Sequence, residues 1–444
     1  MNRTTARYLE LCRTDGGALS TAVTGAELPG PLRGARLLAR PLFVEEPVLR
    51  AAADDLLALF DVLTSLPDRL FDGDLDAYWA ALGGEPRLAP LLRRYAPGKP
   101  AARFGRADLS CGEDGFALLE FNIAGGVGGI ELGELPGALL AEEPFARFAA
   151  QHGLGHVRTG ARVAATLRAV APRPDPVVAL VLAPGALDHY RPLLAPTVEV
   201  LHGQGLQTVL GELGEVREKN GKLYIGRHRA DVLLRHFSVD DTIGYEECAD
   251  AVTRAHRSGD ATLWTPLDST LYANKGALAL LSDPRCDPVL SASERRLTDR
   301  ILPWTRLLTP ELAEQCRTGR EHLVLKPCRG FAGAGIVAGW NSTDREWADA
   351  LRRCADGAHV VQRRIAPLPE PVVDPRTGTT EDWLPVWGLY VTPDGYGGNA
   401  VRAQPATGTG VIGYSTSTAT RATVAFSCRP DAQPAPADPG AVDP

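Results

Sequence analysis

The chain has 444 residues, 44% of them hydrophobic and 23% charged, with a net charge of −7. That length accommodates two or three domains with their own cores, the composition is that of an ordinary globular protein, and the acidic balance excludes the basic footprint that non-specific nucleic-acid binding needs. No apolar run reaches the roughly 18 residues needed to cross a membrane, and the stretch 1–20 lacks the apolar core of a signal peptide. A cytoplasmic protein with no nucleic-acid or membrane partner is therefore expected. The eight cysteines are scattered without a C-x-x-C pair, which suits reduced thiols and gives no zinc or disulfide framework.

The first hundred residues read mainly as helices. Residues 46–66 place Val48, Leu49, Ala52, Leu56, Leu57, Phe60 and Leu63 at helical spacing. Residues 75–95 continue similarly, broken at Gly83-Gly84-Glu85-Pro86. Next comes RADLSCGEDGFALLEFN, residues 106–122, in which two strand-like pieces flank a turn at 111–115. Side chains alternate along a strand with period two, so Glu120 and Asn122 share a face, as do Arg106 and Asp108. A hairpin brings the two pairs together. Two carboxylates and an amide oxygen make a hard-oxygen site of the kind Mg2+ prefers, usually completed by nucleotide phosphates, with Arg106 placed to neutralise an anion beside it. A solvated strand face gives the same alternation, so this hairpin needs a second half-site to carry meaning. A glycine-rich stretch, 124–129, follows it.

A second block spans 156–265. Helices are expected at 159–171 and 195–204, the latter with Pro196 in its first turn. The continuous apolar run 177–182 reads as a buried parallel strand, with further strands at 208–210, 222–225 and 231–234. This alternation predicts a Rossmann-like α/β unit, but without the G-x-G-x-x-G fingerprint of dinucleotide binding. Arg235, at the end of a predicted strand, sits where open α/β sheets bind ligands and is a candidate for holding a substrate carboxylate. Asp268, Gly125 and Gly126 are candidates of the same kind.

The third block, 266–428, centres on LVLKPCRGFAGAGIV at 323–337: a strand, Lys326, a turn with Gly330, Gly333 and Gly335, and a second strand. Glycines permit unusual backbone angles and a close approach of N–H groups to phosphate, and Lys326 adds a point charge. This is not a Walker A loop. It reads as a mobile flap closing over a nucleotide. Lys275, at the start of a helix, is a candidate second phosphate cation, and 359–369 reads as a strand leaving the flap whose backbone pairs with an adenine ring. The Pro-, Ala- and Asp-rich end, 429–444, reads as a disordered tail.

Together these residues resemble the ATP-grasp ligases, specifically the circularly permuted branch typified by glutathionylspermidine synthase. The Arg-x-Asp…Glu-x-Asn motif precedes the lysines and the glycine flap here, whereas in ordinary ATP-grasp enzymes it follows them. The resemblance runs from about 100 to 428. It implies an α/β (α+β) ATP-grasp fold with a permuted metal-binding half at 1–155, a Rossmann-like substrate domain at 156–265, and a lid at about 275–365 that returns to the core by 428. It also implies ATP and Mg2+ as cofactors, Asp108, Glu120 and Asn122 as metal ligands, and Arg106 as a contact to the transferring phosphoryl group. Lys275, Lys326, Arg329 and the three glycines would meet the phosphates, and Gln362, Arg363 and Ile365 would line the adenine pocket. Arg402 falls where the family has an arginine near the reacting carboxylate. The implied partners are a small-molecule carboxylate and amine, and a homodimer. No Cys/His hydrolase motif of the amidase domain that accompanies some members is expected here, and the run of glycines at 125–129 departs from the family.

Overall fold

The 106–122 segment forms the hairpin read from its alternation, and that hairpin is one side of a six-stranded antiparallel sheet. Its strand order is Arg421–Thr423, Gly395–Pro405, Thr380–Thr392, Gly105–Gly112, Gly115–Asn122, with Glu370–Val373 also paired to Thr380–Thr392. The structure, a computed structural model, describes residues 1–14, 17–96, 102–330, 333–408, 410–414 and 416–430. All but the first two residues of the expected tail lie outside this range, as do positions 331 and 332 of the glycine turn.

One face of the sheet is covered by the helix Glu46–Phe71, which buries Leu49, Ala52, Leu56, Leu59, Phe60, Leu63 and Leu66. Phe60 meets Phe121 of the hairpin edge-on at 6.1 Å. The helix outruns the expected 46–66 and stops where Asp72 turns left-handed, with its N–H bonded to the Pro67 carbonyl.

The α/β unit is a four-stranded parallel sheet ordered Thr262–Trp264, Val232–His236, Val177–Leu182, Gln207–Glu212. Its middle strands are buried on both faces, which explains their unbroken apolar runs. Two expectations need correcting. The segment Lys222–Ile225 is not in this sheet but in the middle of a separate antiparallel meander between Val216–Lys219 and His228–Ala230. The helix expected at 195–204 begins at Leu187 and carries both Pro192 and Pro196 inside it. Its start is fixed from a distance: the Glu212 carboxylate accepts the N–H groups of Gly185 and Leu187, each at 2.7 Å.

The glycine-turn segment belongs to a four-stranded antiparallel sheet ordered Thr305–Leu307, His359–Arg363, Leu323–Pro327, Val337–Ala338. It has a small core of its own, with Leu308, Leu325, Trp347, Leu351 and Val361 packed under the helix Asp344–Cys354. No helix among the described residues is long and apolar enough to cross a membrane.

Candidate active site

In the hairpin Asp108 lies opposite Glu120 and Arg106 opposite Asn122, with an irregularity just after Asp108. Asp108 is 2% exposed. Both its oxygens are engaged by Arg106, Nε at 2.7 Å and Nη2 at 3.2 Å, and one also accepts from Arg402 Nη2 at 2.6 Å. Arg402 reaches it across the intervening strand, where the residue opposite Asp108 is Gly388. A Cβ at Gly388 would lie 2.8 Å from Arg106 Cδ, so only a glycine leaves room for the Arg106 side chain. Burial alone would push the Asp108 carboxyl up, but the two guanidinium groups outweigh it and hold it well below the usual carboxylate range. Arg106 also donates to the Gly128 carbonyl at 2.6 Å, and the Tyr390 hydroxyl donates to the same oxygen at 2.5 Å. Glu131, in the turn Ile130–Glu134 that follows, has its carboxyl raised by burial against the opposing pull of Arg106.

The second half-site arrives from the far end of the chain. Lys275 Nζ lies 3.2 Å from Glu120 Oε2, and Asn122 Nδ2 donates to Glu120 Oε1 at 3.4 Å. Lys326 donates to the Leu119 carbonyl at 2.9 Å and to Gln362 Oε1 at 2.7 Å, and Gln362 Nε2 donates to Thr305 Oγ1 at 3.0 Å. The N–H of Lys275 bonds to the Cys328 carbonyl, joining the start of the helix Lys275–Leu281 to the base of the glycine turn. Both lysines are buried, which is rare unless the charge has a task. Burial lowers Lys326 to about 8, with Lys275 adding to the effect and Glu120 and Asp108 opposing it.

Along the hairpin Arg106, Asp108 and Arg402 thus form one polar group, Glu120, Asn122 and Lys275 a second, and Lys326 with Gln362 a third that is bonded to the Leu119 carbonyl. The other expected nucleotide contacts are arranged differently. Arg329 is ion-paired to Asp240 and lies 5.7 Å from the Trp79 ring centre, so it fastens the base of the glycine turn to the segment that follows the strand Val232–His236. Arg363, alternating with buried Gln362, is exposed. Ile365 lies over the far end of the hairpin, where its Cγ2 would be 3.2 Å from a Cβ at Gly112. Gly333 and Gly335 have φ of 77° and 73°, the left-handed region expected of a tight turn. Gly330 precedes them at the turn's start.

The residue types fit a divalent cation with a polyphosphate: three oxygen donors on one surface, flanked by two ammonium and two guanidinium groups. The fit is best at Glu120 and Asn122. Asp108 can join a metal shell only by releasing an arginine. Among the described residues no group of three or more His, Cys, Asp or Glu side chains is placed to hold a metal. A cation here relies on Asn122 and on ligand oxygens.

At the strand ends of the parallel sheet the structure is less open to ligands than the sequence suggests. Arg235 donates to the Thr265 carbonyl at 2.7 Å, to Thr265 Oγ1 at 3.3 Å, to Ser269 Oγ at 2.8 Å and to the Phe237 carbonyl. Its hydrogen-bonding capacity is nearly used up on the protein itself, which leaves little for a substrate carboxylate. Gly125 and Gly126 are pressed against this region: a Cβ on Gly125 would lie 2.2 Å from the Trp264 carbonyl oxygen, and one on Gly126 would lie 2.6 Å from His236 Nδ1. Gly125→Ala is expected to lower stability by about 1–3 kcal/mol, the cost of overpacking against backbone, in a thermal or denaturant melt. Gly128→Ala, whose Cβ meets nothing within 4 Å, should melt as the wild type does.

Sequence reasoning missed Gly388, Tyr390, Asp240 and Trp264. Only Tyr390 and Gly388 had a readable signal, the period-two alternation of the strand that carries them.

No protein-family model matches the chain, and no curated protein sequence matches it. Among solved structures, a putatively assigned gamma-glutamylcysteine synthetase from Methylobacillus flagellatus KT aligns at 14% identity over 80% of this chain and 83% of that one, with a TM-score of 0.40 too low to argue from. A glutathione synthetase-like effector from Globodera pallida aligns over 94% of this chain and 97% of that one at 13% identity, with a TM-score of 0.58. The chain therefore shares the mixed α/β fold of a glutathione synthetase-like protein across nearly its whole length.

Proposed function

We propose that this protein is an ATP- and Mg2+-dependent carboxylate–amine ligase on a circularly permuted ATP-grasp scaffold, forming an amide through an acyl phosphate. The observation that carries the reading is the meeting of Lys275 and Lys326 with the Leu119–Glu120 stretch of the hairpin, at 3.2 Å and 2.9 Å. Two half-sites far apart in sequence, one cationic and one of oxygen donors, face each other. The glutathione synthetase-like fold supports the same reading.

Mg2+ with ATP would supply the γ-phosphoryl group that converts the carboxylate into an acyl phosphate, from which the amine displaces inorganic phosphate. The chain's own part is positioning and charge compensation, which is most of what phosphoryl transfer requires. Glu120 and Asn122, with Asp108 beside them, would hold the metal. Lys275 and Lys326 would hold phosphate oxygens. Asp108 fixes the planes of Arg106 and Arg402, so both guanidinium groups stay charged and oriented beside the site where the acid and its transferring phosphoryl group would lie. The glycine turn 328–335 would close over the phosphates and keep water from the acyl phosphate. No covalent nucleophile is needed. As in the family, a homodimer is the proposed assembly and a location in the cytoplasm is proposed with it.

A screen of carboxylic acids with Mg-ATP and hydroxylamine tests this, because hydroxylamine traps acyl phosphates as hydroxamates. Hydroxamate and ADP formed together support the ligase. ADP with a stable phosphorylated product and no hydroxamate would make it a phosphotransferase. Lys326 gives a further expectation. With its ammonium lowered to about 8, the free protein loses this positive charge as pH rises through that value, so kcat/KM for ATP should fall above about pH 8. In Lys326→Arg that limb should move beyond the measurable range. An unchanged profile in the variant would remove Lys326 from phosphate binding.

A further inference from the structure

The ligase reading does not say which acids are accepted, and one carboxylate beside the guanidinium pair bears on that. Strand pairing sets Arg106 opposite Tyr390, Asp108 opposite Gly388, Gly388 opposite Ala400 and Val386 opposite Arg402. Arg106, Asp108, Tyr390, Ala400 and Arg402 therefore share one face of the six-stranded sheet, and the helix Glu46–Phe71 covers the other. The loop that leaves Asn122 crosses the shared face. A Cβ on its Gly129 would lie 3.0 Å from the Tyr390 hydroxyl, 3.2 Å from Ala400 Cβ and 3.9 Å from Arg106 Nη1. Two residues on is Glu131, half-buried between the buried side chains of Ile130 and Leu132.

Among the described residues no side chain is hydrogen-bonded or ion-paired to the Glu131 carboxylate. Burial raises it, and the N–H groups of residues 131 and 129 and the pull of Arg106 only partly offset this. The cations nearby are committed elsewhere. Arg106 gives Nε and Nη2 to Asp108 and Nη1 to the Gly128 carbonyl. Arg158 pairs with Glu134 at 3.0 Å, and Arg36 donates to the Thr418 carbonyl and lies over the Tyr414 ring. Asp268, the other carboxylate expected beside a substrate, is buried next to Arg235 at the parallel sheet instead. Arg402 is the converse of Glu131. Its side chain is 24% exposed, and among the described residues only its Nη2 is bonded, to Asp108, which leaves the rest of its fork for an anion. Tyr414 ties the two together. Its ring is 44% exposed, while burial of its hydroxyl end raises it to about 12, with Arg402, Arg36 and Arg106 pulling it down and Glu131 pushing it up. The hydroxyl is thus within electrostatic reach of both the spare guanidinium and the unpaired carboxylate, on the side of the site that is open to solvent.

We infer that the acid activated here is an amino acid: Arg402, with Arg106 beside it, takes its carboxylate, and Glu131 takes its ammonium group. This rests on the ligase reading, and it concerns the acid and not the attacking amine. An acid without a cation would leave Glu131 unpaired next to an incoming carboxylate of the same charge, whereas an ammonium group on the acid pairs with Glu131 and cancels that repulsion. Glu131 acts by holding the acid and takes no part in bond-making.

The test measures hydroxamate formation with Mg-ATP and hydroxylamine, so that no amine substrate is present. Amino acids are compared with their nitrogen-free counterparts: glycine with acetate, alanine with propionate, glutamate with glutarate, phenylalanine with 3-phenylpropionate, and any further acid that the wild type activates with its own counterpart. In its best pair the wild type should favour the amino acid by roughly 10–100-fold in kcat/KM, the scale of one hydrogen bond between charged groups. Glu131→Gln should bring that ratio toward one by raising KM for the amino acid, and Glu131→Asp should keep part of the preference. A wild type that activates best an acid with no ammonium group would overturn the inference, and so would a Glu131→Gln variant that keeps the full ratio. Equal loss on both members of a pair would make Glu131 structural. A defect confined to amide formation with an added amine would assign the carboxylate to the amine, and either result also overturns the inference. Failure of the wild type to form hydroxamate from any acid would instead overturn the ligase reading.

Discussion

Glu120→Gln and Asn122→Ala should each lower ATP-dependent turnover by roughly 10²–10³-fold in kcat, the scale seen when one preorganised electrostatic group is removed, while leaving the melting transition near that of the wild type. Glu120→Gln removes the charge that a cation would need and keeps the side chain's shape, with one oxygen left for either Asn122 Nδ2 or Lys275, which meet different oxygens of Glu120 at 3.4 Å and 3.2 Å. Asn122 is half-buried at the end of its strand, so its truncation leaves no void in the core. Phosphate release and thermal melts on the same preparations separate the two effects. Full turnover in either variant would remove the hairpin from the reaction. A large fall in melting temperature would make these residues structural.

Asp108→Asn is expected to lower both activity and stability. The variant leaves two guanidinium groups, 15% and 24% exposed, facing each other without the carboxylate that separates them. Breaking a buried ion pair by removing one partner costs about 3–5 kcal/mol. The lower end applies here because both arginines keep some access to water. Arg402→Ala should cost less, because Asp108 then keeps both bonds from Arg106. The sign with pH follows from the depressed carboxyl. Its stabilisation is fully present above the unfolded-state value of about 3.9 and is lost as pH falls below that toward the folded-state value. The difference in unfolding free energy between wild type and Asp108→Asn should therefore be the same at pH 8 and pH 5. A difference that disappears by pH 5 would mean that the arginines do not hold Asp108 ionised.

What could be read from the sequence was local. Period-two alternation put Glu120 with Asn122 and Arg106 with Asp108, and the hairpin register agrees. The glycine turn between two short antiparallel strands was equally readable. The same alternation separates buried Gln362 from exposed Arg363, although the family resemblance implies that both line the adenine pocket. What was hidden depended on registers and partners distant in the chain. Arg402 reaches Asp108 only because a third strand runs between them and presents Gly388 there. Arg235 looked free for a ligand because Thr265 and Ser269, which occupy it, lie about thirty residues onward. Lys222–Ile225 has the alternation of a strand, but alternation does not say which sheet it joins. The helix at Leu187 starts early because Glu212, on the following strand, supplies its cap.

The acyl phosphate is the central claim, and an isotope label tests it most directly. With the substrate acid labelled with oxygen-18 in its carboxylate, turnover with Mg-ATP and amine should move one labelled oxygen into the inorganic phosphate for each amide formed, because that oxygen bridges carbon and phosphorus before the amine displaces it. Mass spectrometry of the phosphate reads the transfer. Label in AMP, or phosphate without label while amide accumulates, would contradict the account.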